Sequence, residues 1–147
     1  MDHDSYSAAY LTGILETVRT IALVGASANP ERASHHVMEF LLHHGYAVHP
    51  INPGLAGKTL LGRMVYASLA DVPEAIDLVD VFRNSEAAGE TVDEALGLTP
   101  LPKAIWLQLG VRNDAAAQRA EAAGVAMVMN RCPAIEIPRL GLERIGA

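Results

Sequence analysis

The chain has little cysteine, few aromatic residues, no run of basic residues and no long apolar stretch. Its single cysteine, Cys132, excludes an intrachain disulfide framework and fits a reducing cytoplasm. Apolar runs are interrupted well short of a membrane span. The opening Met1-Asp-His-Asp-Ser5 lacks the basic segment that starts a secretion signal, so neither membrane insertion nor export is expected. A net charge of −6 with no basic track argues against a nucleic-acid partner. No low-complexity segment or internal repeat is visible. What is present is 147 residues, 50% hydrophobic, enough for a single domain with one buried core.

Short apolar runs alternate with helical patterns: Ile21–Val24, Ala47–Ile51, Leu78–Phe82, Ala104–Leu107 and Val125–Met129. Each is nearly continuous in hydrophobicity, as strands buried on both faces of a parallel sheet should be. Between the first two, Val37, Phe40, Leu41 and His44 recur at helical spacing over Ala33–His44, and Gly45 supplies the stop. Ser85–Leu96 carries Ala88, Val92, Ala95 and Leu96 on one stripe, with Asn84 or Ser85 as its cap. Asn113 opens a third helix that ends at Gly124. An N-terminal helix around Ser5–Thr17 places Tyr6, Tyr10 and Ile14 at i, i+4, i+8. The tail 130–147 is punctuated by prolines through Pro138 and predicts a loop with at most a short helix. The order predicts an α/β fold, a doubly wound parallel five-stranded sheet with helices on both faces.

Such a sheet binds ligands at the carboxyl ends of its strands, where strand order reverses. The first of those ends is the most informative stretch, Thr20-Ile-Ala-Leu-Val-Gly-Ala-Ser-Ala-Asn-Pro-Glu-Arg32, leading into a helix. A strand entering a small-residue turn and then a helix points backbone N–H groups and the positive helix end at one spot, which suits a phosphate. The dinucleotide fingerprint is nevertheless incomplete. Ser27 stands where its second glycine belongs, Pro30 where its third belongs, and Asn52-Pro53 replaces the acid that ends the second strand. That weakens an NAD reading while leaving NADP open. Pro53–Arg63 adds a Gly-rich loop bearing Lys58 and Arg63. Phe82-Arg83-Asn84 offers a guanidinium for bidentate pairing, and Gln108-Leu109-Gly110 another glycine-bearing loop. Donors without an evident acid/base pair describe a binding pocket better than an active site.

These residues together resemble the small stand-alone coenzyme A-binding proteins of bacteria, related to the CoA-binding domain of succinyl-CoA synthetase. The resemblance rests on Val24–Ser34, Gly45–Pro53, Val79–Arg83, Ile105–Val111 and Asn130–Cys132, within roughly residues 12 to 140. It implies a Rossmann-like fold binding CoA or an acyl-CoA. Pyrophosphate is expected at the Gly25–Ser34 turn and adenosine over the Asn52–Lys58 loop. The residues so implied are Gly25, Ala26, Ser27, Pro30, Arg32, Ser34, Asn52, Pro53, Lys58, Phe82, Arg83, Gln108 and Gly110. Leu55 falls where the ligase-type loop has a basic residue. The ligase carries its phosphorylated histidine on a further domain, so CoA binding without autonomous ligase chemistry is the expectation. No catalytic residue is assigned.

Plainer readings stand beside these. Gly25 can serve only a tight turn, Asn52 only the turn before Pro53, Ser27 and Ser34 only as caps, and Arg83 as a surface ion pair. Arg32 can be a solvated helix start, and Lys58 and Arg63 read better as solvated than as ligand-bound. Asp80, inside an apolar run, reads as a carboxylate accepting bonds from neighbouring loops, and the indole of Trp106 needs an acceptor. His35, Glu39 and His43 share a helix face expected to meet water, without the spacing of a metal site. Cys132 beside Arg131 is either a quiet thiol or a partner for the CoA thiol. Two functions of other classes remain, an NADP-dependent oxidoreductase and a degenerate nucleotide fold used for protein contacts. A protein partner or a homo-oligomer is left open.

Overall fold

The computed structural model describes residues 1–144, so the last three residues of the tail lie outside the description. Five parallel strands form the sheet: β1 (Thr20–Val24), β2 (Ala47–Ile51), β5 (Leu78–Val81), β6 (Ala104–Leu107) and β7 (Ala126–Val128). Their order is β2-β1-β5-β6-β7. The helices are α1 (Ala8–Thr17), α2 (Ala33–His43), α3 (Ser85–Leu96), α4 (Asp114–Ala122) and α5 (Pro133–Arg139). A two-stranded hairpin, β3 (Thr59–Leu60) with β4 (Arg63–Met64), was not evident in the sequence. The fold is the Rossmann-like doubly wound sheet that the apolar runs predict.

Alternate strand residues feed two cores, one on each face of the sheet. Leu23, Trp106 and Val128 pack with Leu15, Met38 and Ile137 on the side of α1, α2 and α5. Val79, Ile105 and Met127 pack with Val92 and Ala117 on the side of α3 and α4. Leu23 and Trp106 are wholly buried, and each such side chain contributes ~1.5–3 kcal/mol relative to exposure. The indole N–H of Trp106 finds its acceptor in the Arg131 carbonyl at 2.9 Å.

Helix starts follow the capping rules where a cap is present. Ser7 Oγ accepts from Tyr10 N, Asn84 Oδ1 from Ala87 N and Asn113 Oδ1 from Ala116 N. The first helix therefore begins later than the tyrosine spacing suggests, and Tyr6 lies ahead of it. The tail forms a real helix because Pro133 falls in its first turn, where a missing N–H costs nothing, and Pro138 comes just before its end.

Both outer strands have outward backbone groups engaged by side chains or neighbouring loops. Beside β2, Tyr66 N donates to Pro50 O at 3.0 Å, and Arg63 Nε donates to Val48 O at 2.9 Å. Arg63 is thus spent on the scaffold. Beside β7, the Tyr10 hydroxyl donates to Met127 O at 2.7 Å and accepts from Met127 N at 3.2 Å. The Tyr6 hydroxyl accepts from Met129 N at 2.8 Å.

Candidate functional site

Strand order reverses between β1 and β5, and a cleft of about 310 Å³ opens there at the carboxyl ends. Val24, Gly25 and Ala26 line it from β1, Ile51, Asn52 and Pro53 from β2, and Arg83 from beyond β5. Ala67 and Glu94 complete the wall. Of the residues expected from the sequence, Gly25, Ala26, Asn52, Pro53 and Arg83 meet in this cleft.

Gly25 has φ +88, and a Cβ there would sit 2.5 Å from the carbonyl oxygen of Phe82. The glycine is required by the close approach of β1 to β5, irrespective of any ligand. Its amide does not point outward as the turn motif suggests. Gly25 N and Ala26 N both donate to Ile51 O, at 3.1 and 3.3 Å. The free donors lie further along. Among the described residues, the amides of Ser27, Ala33 and Ser34 have no hydrogen-bond acceptor. The intervening loop satisfies itself, with Ser27 Oγ accepting from Asn29 N and Asn29 Oδ1 from Glu31 N. Neither Ser27 nor Ser34 caps α2, whose cap position is Arg32 with no side-chain bond. The uncapped helix start keeps its N–H groups available to an anion.

Asn52 faces inward at both ends. Its Nδ2 donates to Ala26 O at 2.8 Å and its Oδ1 accepts from Gly54 N at 2.9 Å. Arg83 lies along α3, with Nη1 donating to Thr91 Oγ1 at 3.1 Å and Nη2 3.8 Å from Glu90 Oε2. Its side chain is 39% exposed and keeps donors free for the cleft. Glu94 is the wall residue that sequence reasoning missed. It reaches the cleft only because α3 packs across β5, and its Oε1 accepts from Leu69 N at 2.9 Å. No local motif marks such a position.

The other expected residues lie outside this cleft. Pro30, Arg32, Lys58 and Gly110 are exposed, Ser34 is buried in the first turn of α2, and Phe82 packs against the core. Gln108 is 5% exposed, and its side-chain oxygen is buried with no hydrogen-bond partner. Asp80 departs from its expected role. It is fully buried, and neither carboxylate oxygen has a partner, so no loop donates to it. Burial pushes its carboxyl well above the usual range. Cys132 is buried among core residues, while the adjacent Arg131 side chain turns to the N-terminal segment. His35 is half-buried, and Glu39 and His43 are exposed.

The family model described as a CoA binding domain matches residues 19–138. The chain belongs to this CoA-binding domain family. An uncharacterized Bacillus subtilis protein, YneT, is 35% identical over 126 residues, covering 86% of this chain and 90% of that protein. A hypothetical protein from Pyrococcus horikoshii superimposes with a TM-score of 0.87 at 38% identity, covering 95% of this chain and 96% of that one. An acetyl-coenzyme A synthetase from Ca. Korarchaeum cryptofilum, in complex with phosphate and ADP, shares the fold at a TM-score of 0.66 and 22% identity. The match covers 81% of this CoA-binding domain protein and 27% of that chain.

The donor set fits the ligand that the family name implies. Free amides at Ser27 and the α2 start, with the Arg83 guanidinium, suit phosphate groups. The orphaned Gln108 oxygen suits an amide N–H. Among the described residues, no helix is long and apolar enough to cross a membrane.

Proposed function

We propose that this chain binds coenzyme A or an acyl-CoA and has no ligase chemistry of its own. The observation that carries the reading is the cleft at the strand-order reversal of a CoA-binding domain. The nucleotide part lies over that cleft and the adjoining start of α2. Its pyrophosphate takes the amides of Ser27, Ala33 and Ser34, with Pro30 and Arg32 flanking it and Arg83 supplying positive charge from the β5 side. Asn52 and Pro53 form the wall under the adenosine, and the 53–58 turn with Lys58 overhangs it.

A cleft of about 310 Å³ is too small for the whole ligand. The pantetheine arm therefore extends along the rim past Phe82, Gln108 and Gly110 toward β7. The two amide N–H groups of that arm match the unpaired oxygen of Gln108. Among the described residues, the titratable side chains lining the cleft are Arg83 and Glu94, and both already bond to the protein. That arrangement supports ligand binding over chemistry. The single cysteine fits a reducing cytoplasm, and the role proposed is that of a carrier, sensor or subunit.

Thermal and chemical unfolding with CoA, acetyl-CoA, NAD, NADP and AMP at equal concentration tests this reading. A ligand at 100 times its Kd adds about 2.7 kcal/mol. Stabilisation by CoA species but not by NADP is expected. Stabilisation by NADP alone would replace the reading with redox chemistry, and no stabilisation by any nucleotide would leave a protein-contact domain.

A further inference from the structure

The N-terminal segment ahead of α1 makes more specific bonds than edge protection needs, and they converge on two loops. One is the turn after β6, Gln108–Asn113, and the other is the turn after β7, Asn130–Cys132. Asp4 joins both. Its Oδ1 accepts from Arg112 Nη1 at 2.6 Å, and its backbone carbonyl accepts from Arg131 Nη2 at 3.2 Å. The Arg131 guanidinium also lies 4.9 Å over the Tyr6 ring. Tyr6 in turn stacks on Tyr10, with centroids 5.7 Å apart.

A chain of hydrogen bonds fixes the segment from its other side. The Tyr6 hydroxyl accepts from Met129 N at 2.8 Å and is hydrogen-bonded to His3 Nδ1 at 2.7 Å. His3 Nε2 is hydrogen-bonded to Glu121 Oε1 at 2.6 Å. The Tyr6 hydroxyl has one donor and one acceptor role, and both ring nitrogens of His3 have a partner. His3 is only 9% exposed, which marks the segment as docked onto the body of the protein.

The two loops are also bonded to each other. Asn130 sits at φ +56. Its Oδ1 accepts from Gly110 N at 2.7 Å and its own N–H donates to Val111 O at 3.1 Å. Arg131 O receives the Trp106 indole. Arg131 and its neighbour Asn130 are thus bonded to the body of β6 and to Gly110 just past its end, where Gln108 holds its unpaired oxygen.

The same bonds set the charge of this end of the rim. Arg112 is held by Asp4 and by Asp114, whose Oδ1 accepts from Arg112 Nε at 2.8 Å. Arg131 is folded over Tyr6. Both guanidiniums near the β6 and β7 ends are thus neutralised or turned aside. Leu109, 55% exposed on the same loop, adds an apolar surface. Arg83 and the α2 start carry the donors at the other end.

We infer that Asp4 and Tyr6 are positioning residues that clasp the β6 and β7 loops into a rigid, charge-neutral seat for the uncharged thiol-bearing arm of the ligand. The clasp fixes the ligand's direction along the rim, phosphates toward β1 and β5, arm toward β6 and β7. At ~4.8 Å per strand the rim from β1 to β7 spans about 14 Å, a length on the scale of an extended arm. This inference rests on the CoA reading above.

The test compares CoA with adenosine 3′,5′-bisphosphate, which has the nucleotide but no arm, by calorimetric titration of the full chain. The Asp4 side chain is 78% exposed, so Asp4→Ala leaves the fold intact. Asp4→Ala/Tyr6→Leu, with folding followed by thermal melts, removes the carboxylate that holds Arg112 together with the hydroxyl and ring that hold Met129 and Arg131. The expected result is CoA weakened about fivefold by the double variant and less by Asp4→Ala. The bisphosphate should bind both variants as it binds the wild type. Equal weakening of both ligands, or no weakening of CoA, would reduce the clasp to a structural brace and overturn the inference. If neither ligand binds the wild type, the CoA reading itself fails and the inference falls with it.

Discussion

The side-chain amide of Asn52 donates to the carbonyl of Ala26 across 2.8 Å, joining the end of β2 to the turn that leaves β1. With Gly54 N on its other end, Asn52 works as a brace for the cleft wall. Asn52→Ala should cost about 1–2 kcal/mol of stability, measured by urea unfolding. It should also weaken CoA. A variant as stable as the wild type would show that the brace carries no strain-bearing role.

Gly25→Ala forces a side chain onto the Phe82 carbonyl at a left-handed backbone position. A loss of roughly 2–4 kcal/mol is expected, read from the urea midpoint at unchanged m-value. Because the clash is with backbone, no rotamer relieves it.

Arg83 is positioned by Thr91 before any ligand arrives. Arg83→Ala should weaken CoA by about 1–3 kcal/mol in a calorimetric titration with little change in melting temperature. Unchanged affinity would move Arg83 to the role of a partner for Glu90.

Asp80 makes stability fall as pH rises. Its folded pKa lies above the unfolded value near 3.8, so unfolding releases a proton once the pH exceeds that value. The neutral carboxyl is fully accommodated below it, and stability is lost progressively as pH climbs toward the raised folded pKa, by up to about 1.4 kcal/mol per pH unit. Asp80→Asn should abolish this slope. Urea titrations of both proteins from pH 4 to 8, taken as roughly spanning the onset of carboxyl ionisation, would show the difference growing with pH. Parallel curves would mean that the carboxyl has an ordinary pKa.

The sheet was legible because its strands are buried on both faces and leave continuous apolar runs such as Ala104–Leu107. The hairpin was not, since strands of two residues carry no period. Gly25 was legible as a turn, but the direction of its amide depends on Ile51, which lies on a neighbouring strand. The same limit hid Glu94, brought to the cleft by helix packing, and the orphaned state of Asp80. Tyr6 and Tyr10 showed helical spacing, yet their hydroxyls serve the backbone of β7, a relationship that no periodicity encodes.

The engagement of both outer strands has a consequence for how this molecule can assemble. Phenol hydroxyls occupy the backbone positions along β7 that an added strand would need, while Tyr66 and Arg63 hold those along β2. A strand added on either side would have to break these bonds, which opposes pairing of identical molecules edge to edge. That leaves helix surfaces and the ligand rim as the faces without such a barrier, and at the rim binding and assembly would read each other.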